Sequence, residues 1–249
     1  MIAALALLAS SMSSQVETFT VNGVARVATV VAPTSETIPA PLVFVFHGHG
    51  GNMHQAQLSF AIDKVWPEAV VVYPQGLPTK GKTDPEGKKA GWQQSARDSE
   101  GRDLAFFDVM LATIKKEHKI DPKRVYVTGH SNGGRFTYLL WAERGEAFAA
   151  VAPSASPAIG LIRKFRPLPA FVIAGEKDQL VPFRSQKFSI DAIRFLLKTD
   201  SAKAKVDGYT RLEPGPNGIE LGTYIFPGPH TFPPEARSKV VEFFRRHHR

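Results

Sequence analysis

Apolar residues occur along this chain in short continuous runs that alternate with stretches of helical periodicity. Continuous apolar runs of strand length are typical of strands buried on both faces of a sheet. Such runs lie at residues 42–47, 69–73, 124–128, 149–152 and 170–174. Apolar positions at steps of three or four predict helices over residues 103–118, 136–141, 188–197 and 236–244. This alternation indicates an α/β fold with a mainly parallel, doubly wound sheet and helices on both faces.

A hairpin is predicted ahead of the parallel sheet. Residues 16–21 and 26–32 are rich in strand-forming side chains, and they flank the dipeptide Asn22-Gly23. Asn-Gly favours the two-residue turn whose twist matches that of two antiparallel strands. We therefore expect an N-terminal antiparallel hairpin at one side of the sheet.

The first fourteen residues have a different pattern, with an apolar run at 2–9 followed by residues 10–14, which are all serine except Met12. This resembles the core and cleavage zone of a secretory signal, although the first basic residue is Arg26. An apolar run this short cannot span ~30 Å of hydrocarbon as a helix. We expect residues 1–14 to be an atypical signal segment of a secreted or periplasmic protein, and residues 16–249 to form one domain. The alternative is an N-terminal extension that stays on the protein.

Composition removes several classes of function. The chain has 249 residues and no cysteine, which excludes a disulfide scaffold, a cysteine nucleophile and a thiolate zinc site. The net charge is +8, but the basic residues are scattered and no nucleic-acid-binding motif occurs. We therefore expect neither nucleic acid nor a membrane as a partner, and we expect a monomer. The charge favours contact with acidic polysaccharide, which added salt would weaken.

One long segment interrupts the alternation of strands and helices. About thirty residues rich in Gly, Pro, Lys and Asp lie between Tyr73 and Leu104. Loops of this length are uncommon unless they have a function or are disordered. We expect this segment to line a substrate cleft together with residues 154–169 and the region after Asp178. Trp92 would be a wall of that cleft or, alternatively, an apolar anchor for the loop.

The strongest chemical signal is the sequence Gly129-His130-Ser131-Asn132-Gly133. It is a G-x-S-x-G motif that directly follows a predicted strand and directly precedes a predicted helix. A sharp turn in that context exposes the serine hydroxyl, and the small residues beside it allow neighbouring elements to approach closely. Ser131 is therefore the candidate nucleophile, and we expect His130 beside it to contact substrate.

A serine nucleophile needs a base, and the base needs an orienting carboxylate. His230 lies in a Pro/Gly loop after a strand-like run at 223–226, whereas His247 and His248 lie in a basic tail. Among the acidic residues between Ser131 and His230, the first choice is Asp178, which follows the apolar run at 170–174. The other acidic candidates are Glu176 as second choice, and Asp191 and Asp200, for which a helical surface is the simpler explanation.

The run His47-Gly48-His49-Gly50-Gly51-Asn52 directly follows a predicted strand. In hydrolases with a G-x-S-x-G turn, such a loop supplies one backbone N–H of the oxyanion hole, and the residue after the nucleophile supplies the other. We expect these donors to be His49 and Asn132, with Gly50 as second choice for the loop. A metal site at His47, His49 and His54 is the alternative, but the loop contains no carboxylate. We expect no metal and no cofactor.

These segments together resemble the α/β-hydrolase esterases grouped with extracellular polyhydroxybutyrate depolymerases and feruloyl or acetyl-xylan esterases. The resemblance runs from Pro41 to about Arg246. It rests on PLVFVFHGHGGN, GW at 91–92, DLAFFDVML, RVYVTGHSNGG, AGEKDQLVP and PGPHTFP. It implies an α/β-hydrolase fold, a triad of Ser131, Asp178 and His230, a secreted enzyme without a cofactor, and a position for Trp92 near the active-site cleft. The cysteine-free chain departs from the disulfides that are frequent in the family.

The sequence thus predicts a serine carboxylic-ester hydrolase that forms an acyl-enzyme. Its substrates would be small or oligomeric esters, either feruloyl or acetyl esters of plant polysaccharide or short polyhydroxyalkanoate-type esters. One alternative is a serine peptidase like the prolyl oligopeptidases. Others are a non-catalytic secreted binding protein on a hydrolase scaffold, and acyl transfer to an alcohol other than water.

Overall fold

The computed structural model describes residues 12–34, 38–81 and 83–249. The strands are β1 (Met12–Val21), β2 (Val24–Pro33), β3 (Ala40–Phe46), β4 (Val70–Pro74), β5 (Leu77–Pro78), β6 (Ala90–Gly91), β7 (Ile120–His130), β8 (Ala150–Ser154), β9 (Ala170–Gly175), β10 (Lys205–Asp207), β11 (Thr210–Pro214) and β12 (Glu220–Phe226). The α-helices are α1 (Met53–Phe60), α2 (Ile62–Val65), α3 (Arg102–Glu117), α4 (Asn132–Arg144), α5 (Phe183–Leu197) and α6 (Ala236–Arg246).

Within the described residues, ten strands form one sheet in the order β1-β2-β4-β3-β7-β8-β9-β12-β11-β10. The central strands, which are β4, β3, β7, β8, β9 and β12 in sheet order, pair in parallel. Antiparallel strands flank them, with β1 and β2 on one side and β11 and β10 on the other. Strands β5 and β6 form a separate antiparallel pair in the long segment. The predicted mainly parallel sheet is confirmed.

The predicted N-terminal hairpin is confirmed as β1 and β2. Val21 pairs with Val24, and the two turn residues both have positive φ, 49° at Asn22 and 79° at Gly23. Asn and Gly tolerate this left-handed conformation better than other residues, which explains the turn. Residues 12–14 of the predicted signal segment lie in β1, and residues 1–11 lie outside the described part of the chain. The signal segment and the single-domain boundary at residue 16 stay predictions.

The sheet separates two hydrophobic cores. Successive side chains of β3 point to opposite faces, with Leu42, Phe44 and Phe46 in one core and Val43 and Val45 in the other. Helices α3, α4 and α5 cover the first face, and α1, α2 and α6 cover the second. Because both faces are buried, the strand sequence is continuously apolar. The prediction of helices on both faces is confirmed.

Several elements were not predicted, among them helix α1 and strand β10. Helix α1 has only Ala56 and Phe60 buried, so its apolar periodicity is too weak to identify from sequence. Its start is fixed instead by Asn52, whose side-chain oxygen accepts a hydrogen bond from the Gln55 N–H at 2.8 Å. Strand β10 is exposed at all of its positions, so it lacks the apolar alternation of a half-buried strand.

A buried ion pair joins the hairpin to α3 and to the long segment. The Arg26 guanidinium lies 3.0 Å from the Asp103 carboxylate, and both side chains are almost fully buried. Asp103 also accepts a hydrogen bond from the Gln93 N–H at 2.8 Å. In return, the Gln93 side-chain oxygen accepts from the N–H groups of Asp103 and Leu104 at the start of α3, at 2.8 and 3.0 Å. The end of the long segment is thus fixed to the helix that follows it.

Removal of the carboxylate in Asp103→Ala should destabilise the protein by about 3–5 kcal/mol, because the Arg26 charge would remain buried without a partner. The free energy of unfolding in urea measures this loss. The double variant Arg26→Met/Asp103→Leu should recover much of the stability, since it leaves no unpaired charge. A loss below about 1 kcal/mol in the single variant, the range of exposed pairs, would contradict this role.

Candidate active site

Ser131 lies at the junction of β7 and α4 in an unusual backbone conformation. Its φ is 58° and its ψ is −118°, outside the regions that L-residues normally occupy. The Ser131 N–H donates to the Ser154 carbonyl at 2.9 Å, which ties the turn to the end of β8. Strain of this kind persists only where the surrounding structure enforces it, and it is concentrated at functional sites.

The glycines of the motif are required by the close approach of backbone around this turn. A Cβ on Gly129 would lie 2.5 Å from the Gly133 carbonyl oxygen. A Cβ on Gly133 would lie 2.2 Å from the Phe46 oxygen, and one on Gly134 would lie 2.2 Å from the Ser154 oxygen. No real Cβ atom tolerates such distances. Strands β3 and β8 therefore pack directly against the turn that carries Ser131.

Asp178 and His230 come from loops at the ends of β9 and β12, which are neighbours in the sheet. Nδ1 of His230 lies 2.7 Å from Oδ2 of Asp178. The loops meet closely at Gly175, where a Cβ would lie 2.6 Å from the carbonyl oxygens of Gly228 and Pro229. The two residues chosen from sequence are therefore brought together across 52 positions of the chain.

The Asp178 carboxylate is fully buried and accepts several hydrogen bonds. Oδ1 accepts from the N–H groups of Leu180 and Val181 at 3.0 and 2.8 Å. Oδ2 accepts from the Gln186 side chain at 2.9 Å in addition to its contact with His230. Such bonds stabilise a carboxylate away from water and fix its orientation toward the imidazole.

The other acidic candidates are placed elsewhere. Glu176 is exposed. Asp191 forms ion pairs with Lys187 and Arg194 on α5. Asp200 accepts a hydrogen bond from the Ala202 N–H at a surface turn. None of these three contacts His230.

His130 lies beside both Ser131 and His230. Its ring centroid is 4.8 Å from that of His230, and its Nδ1 is 3.1 Å from the Ser154 hydroxyl oxygen. Burial, and after it the neighbouring His230, lowers the pKa of His130 to about 3, so this imidazole is neutral near pH 7. His130, Ser131 and His230 all line one cleft.

The loop after β3 crosses directly over the nucleophile. A Cβ on Gly48 would be in ordinary contact with the Ser131 Cβ, at 3.5 Å. The Gly50 N–H already donates to the Ala90 carbonyl at 2.7 Å, so the second choice for an oxyanion donor is engaged elsewhere. The two first choices, His49 and Asn132, both line the cleft beside Ser131. Their assignment as donors stays a prediction.

The alternative of a metal site gains no support from the contacts of His47. Its Nε2 accepts a hydrogen bond from the Gly76 N–H at 2.9 Å, so Nδ1 carries the proton and donates to the Gly48 carbonyl at 2.7 Å. Burial lowers the pKa of His47, which keeps the ring neutral. No group of three or more His, Cys, Asp or Glu residues suited to a metal ion occurs in the parts of the chain that the structure describes.

For Trp92, the structure favours the second of the two predicted roles. Its side chain is fully buried and does not line the cleft. The indole packs against Phe46 and Phe136 with ring centroids at 4.9 and 5.5 Å, and its N–H donates to the His47 carbonyl at 2.9 Å. Its backbone exchanges two hydrogen bonds with the Asn132 side chain, at 2.7 and 2.9 Å. Trp92 is the apolar anchor of the long segment.

Asp84 connects the long segment to the loop after β3, which contains His49. The Asp84 Oδ2 accepts a hydrogen bond from the Lys89 N–H at 2.8 Å and lies 3.2 Å from Nε2 of His49. The bond from Lys89 is the main reason that the pKa of Asp84 is lowered, so the group is a carboxylate at neutral pH. Asp84 of the long segment thus holds the Nε2 end of the His49 ring, whereas the His49 backbone belongs to the loop after β3.

The cleft at Ser131 has a volume of about 520 Å³. The long segment contributes Gly81, Thr83 and Gln94, as predicted. The other two predicted contributors also line the cleft. From residues 154–169 it is lined by Ser156, Pro157 and Ile159, and from the region after Asp178 by Leu180, Val181, Pro182 and Ser185. Ile159 and Leu180 are about half exposed and form an apolar rim. Arg135 also lines the cleft and holds this rim through the carbonyls of Pro157 and Ile159; no sequence motif identified it.

Comparison with known proteins decides the family. The Dienelactone hydrolase family model matches residues 27–212, which is most of the chain. The chain belongs to the dienelactone hydrolase family. The structure of an acetyl xylan esterase from Aspergillus awamori superposes on this family member with a TM-score of 0.66, over 93% of this chain and 99% of that one, at 14% identity. This likeness confirms the α/β-hydrolase fold.

Two curated relatives are similar in sequence to this dienelactone hydrolase family member. The bifunctional acetylxylan esterase/xylanase XynS20E of Neocallimastix patriciarum is 30% identical over 66% of the chain. Feruloyl esterase D of Neurospora crassa is 31% identical over 56% of it. The chain spans 23% of the first protein and 48% of the second. The predicted resemblance to feruloyl and acetylxylan esterases is confirmed. A kinship with polyhydroxybutyrate depolymerases stays a prediction.

No helix in the described part of this family member has the length and apolarity that crossing a bilayer requires.

The neutral His130 predicts how the stability of this dienelactone hydrolase family member depends on pH. Its pKa is about 3 in the folded chain and near 6.5 in the unfolded chain. Between these values the unfolded chain binds one more proton, so the contribution to stability is lost as pH falls below about 6.5. This one group should add a slope of about 1.4 kcal/mol per pH unit.

The measurement is the free energy of urea unfolding of the wild type and of His130→Gln between pH 4 and 6. In the variant, the slope of the free energy of unfolding against pH should be smaller by about 1.4 kcal/mol per pH unit than in wild type. His54→Gln, which removes an exposed imidazole, is the control. Equal slopes for wild type and His130→Gln would show that His130 is protonated in the folded state.

Proposed function

We propose that this protein is a serine carboxylic-ester hydrolase in which Ser131, Asp178 and His230 form the catalytic triad. The observation that carries the proposal is the 2.7 Å contact between the buried Asp178 carboxylate and His230, in the same cleft as the strained Ser131 turn. Nucleophile, base and orienting carboxylate follow the chain order of α/β hydrolases. The esterase names of the relatives support the same reaction type.

In the proposed mechanism, the Ser131 Oγ attacks the ester carbonyl carbon, and Nε2 of His230 takes the hydroxyl proton. Asp178 holds Nδ1–H and stabilises the imidazolium that forms, without being protonated itself. The backbone N–H groups of His49 and Asn132 bind the carbonyl oxygen as it gains negative charge. Each such donor contributes roughly 10²–10³ in rate.

Collapse of the tetrahedral intermediate breaks the bond to the alcohol oxygen, which leaves with the proton from His230. Water then attacks the acyl-enzyme and gives a proton to His230. The second intermediate collapses to free acid, and the proton returns to the Ser131 oxygen. The neutral His130 contacts the bound ester without adding charge beside the imidazolium of His230.

Feruloyl esters fit the cleft best among the substrates that we propose. Its volume of about 520 Å³ is far larger than an acetyl group needs, and Ile159 and Leu180 provide an apolar rim that an aromatic acyl group would cover. Gln94, Ser156 and Ser185 offer polar partners for substituents on the ring. Acetyl esters and short hydroxyalkanoate esters would be poorer substrates, because they leave this rim in water.

We further propose that the enzyme acts as a secreted or periplasmic monomer, without metal or cofactor, on small or oligomeric esters linked to polysaccharide. The apolar run at residues 2–9 supports export. The net charge of +8 supports attraction to acidic polymers.

The variant Ser131→Ala should abolish hydrolysis of p-nitrophenyl acetate and methyl ferulate, because it removes the nucleophile. Ser201→Ala is the matched control, since Ser201 is exposed and does not line the cleft, and it should keep the activity of wild type. The initial rates of both variants test the assignment. Undiminished activity of Ser131→Ala would end it, and cleavage of peptide anilides by the wild type at a comparable kcat/KM would favour the peptidase alternative.

The variant Asp178→Asn should lower kcat by about 10⁴-fold while the fold is retained, because an amide cannot hold the correct tautomer of His230 or stabilise its positive charge. The control is Asp191→Asn, which removes a carboxylate from an exposed ion-pair cluster on α5. Steady-state kinetics with circular dichroism as a folding check measure both. A loss below about tenfold would assign the orienting role to another residue.

A further inference from the structure

The hydrogen bonds at the Asp178 carboxylate come from three different parts of the chain. The N–H groups of Leu180 and Val181, in the same loop, donate to Oδ1 at 3.0 and 2.8 Å. Oδ2 contacts Nδ1 of His230 at 2.7 Å, and it accepts a hydrogen bond from Nε2 of Gln186 on α5 at 2.9 Å. An ionised carboxylate has about four acceptor sites, so these partners occupy it completely.

Among these partners, Gln186 is the one that a side-chain substitution can remove without a change in the triad itself. The two groups on Oδ1 belong to the backbone, and His230 is the proposed base. Gln186 lies in the first turn of α5 and is buried. It does not line the cleft at Ser131, so any effect that it has on turnover must act through Asp178.

The surroundings of the Gln186 amide fix its orientation. Nε2 donates to the Val181 carbonyl at 2.7 Å as well as to Asp178. Both neighbours are acceptors, so the NH2 end of the amide must face them. The other end, Oε1, is buried and has no hydrogen-bond partner among the described residues. A buried acceptor without a partner lowers stability, which points to a role for this amide other than packing.

Gln186 and His230 share one carboxylate oxygen, and this has two consequences. Without the amide, Oδ2 would be held by His230 alone, and the carboxylate would be freer to rotate away from the imidazole. The amide also stabilises the negative charge on the oxygen that faces the ring. The imidazolium of His230 is therefore stabilised less strongly than by an oxygen without this bond, and it gives its proton to the leaving alcohol more readily.

Few titratable groups face the His230 ring among the described residues. Asp178 contacts it from the loop after β9, and His130 lies beside it at the end of β7, with ring centroids 4.8 Å apart. His130 is neutral near pH 7, so the Asp178 carboxylate is the charge at the ring. The charged side chains next to it in the loops after β9 and β12 and at the start of α5 are exposed: Glu176, Lys177, Arg184, Lys187 and Glu235.

We propose that Gln186 is a positioning residue of the triad. It fixes Oδ2 of Asp178 toward His230 and sets the lower end of the pH range in which His230 acts as a base. The effect on turnover rests on the proposed function, whereas the effect on the imidazole needs no substrate.

The kinetic test uses Gln186→Met, which keeps the length of the side chain and removes the donor. For methyl ferulate, kcat should fall about tenfold, as expected for one hydrogen bond to a charged group, and KM should stay within about twofold. The acid limb of the kcat/KM profile should move to higher pH by about 1, because His230 keeps its proton longer. Gln186→Glu, which keeps the shape and adds a second carboxyl group beside Oδ2, should move this limb further in the same direction.

Tyr73→Phe is the matched control. It removes the hydroxyl that donates to another buried carboxylate, Asp63, at 2.6 Å, and neither residue lines the cleft. Its stability in urea should fall, whereas its kcat and pH profile should equal those of wild type. Wild-type kcat and pH profile in both Gln186 variants would leave only a structural contact and would overturn the proposal. A higher KM at unchanged kcat would overturn it as well.

An NMR titration separates this proposal from the proposed function. The imidazole signals of His230, assigned by their loss in His230→Gln, are followed against pH in wild type and in Gln186→Met. The midpoint for His230 should be higher by about 1 in the variant, and this readout needs no hydrolysis. A shifted midpoint in a protein that cleaves no ester would refute the esterase alone. Equal midpoints in the two proteins would refute the role of Gln186.

Discussion

The close packing of backbone around the turn at Ser131 is the constraint on which the rest of the site depends. The carbonyl oxygens of Phe46 and Ser154 lie so near Gly133 and Gly134 that no side chain fits between them. This contact joins β3, β8 and α4 at one point and forces Ser131 into a positive-φ conformation. As a result, the serine hydroxyl stands at the carboxyl edge of the parallel sheet, beside the first N–H groups of α4, where partial positive charge accumulates.

The same edge of the sheet explains why residues distant in sequence converge there. Parallel strands β9 and β12 end side by side, so Asp178 and His230 meet as soon as their loops pack at Gly175. The loop after β3 reaches Ser131 for the same reason. The long segment then covers this arrangement, with Trp92 anchored in the core and Asp84 against His49. The edge of the sheet therefore fixes the positions of Ser131, Asp178 and His230, whereas the loops determine the shape of the cleft.

Much of this arrangement could be predicted from sequence, because it rests on local rules. Continuous apolar runs identified the central strands, Asn22-Gly23 identified the hairpin, and the motif around Ser131 required its strand–turn–helix setting. The choice of Asp178 over Glu176 followed from the end of an apolar run, and the structure gives Asp178 the contact with His230.

What could not be predicted depends on contacts between segments that carry no periodic signal. The sequence left two roles open for Trp92, and the contacts with Phe46 and Phe136 that favour the anchor follow from no local pattern. Arg135 lies on α4 and lines the cleft only because the chain after β8 returns across it. A pocket lined by Gln55 and Ser59 of α1 and by Thr231 and Phe232 forms only because α1, a helix with two buried side chains, faces the loop after His230.

The most direct test of the central claim is covalent labelling with a fluorophosphonate, followed by peptide mapping. Trypsin cleavage after Arg124 and Arg135 releases residues 125–135, in which Tyr126, Thr128 and Ser131 carry the hydroxyl groups. The account predicts that loss of esterase activity proceeds in step with one adduct on Ser131, and that Ser131→Ala takes up no label. Inactivation with the adduct on any other residue, or full activity after complete labelling of Ser131, would contradict it.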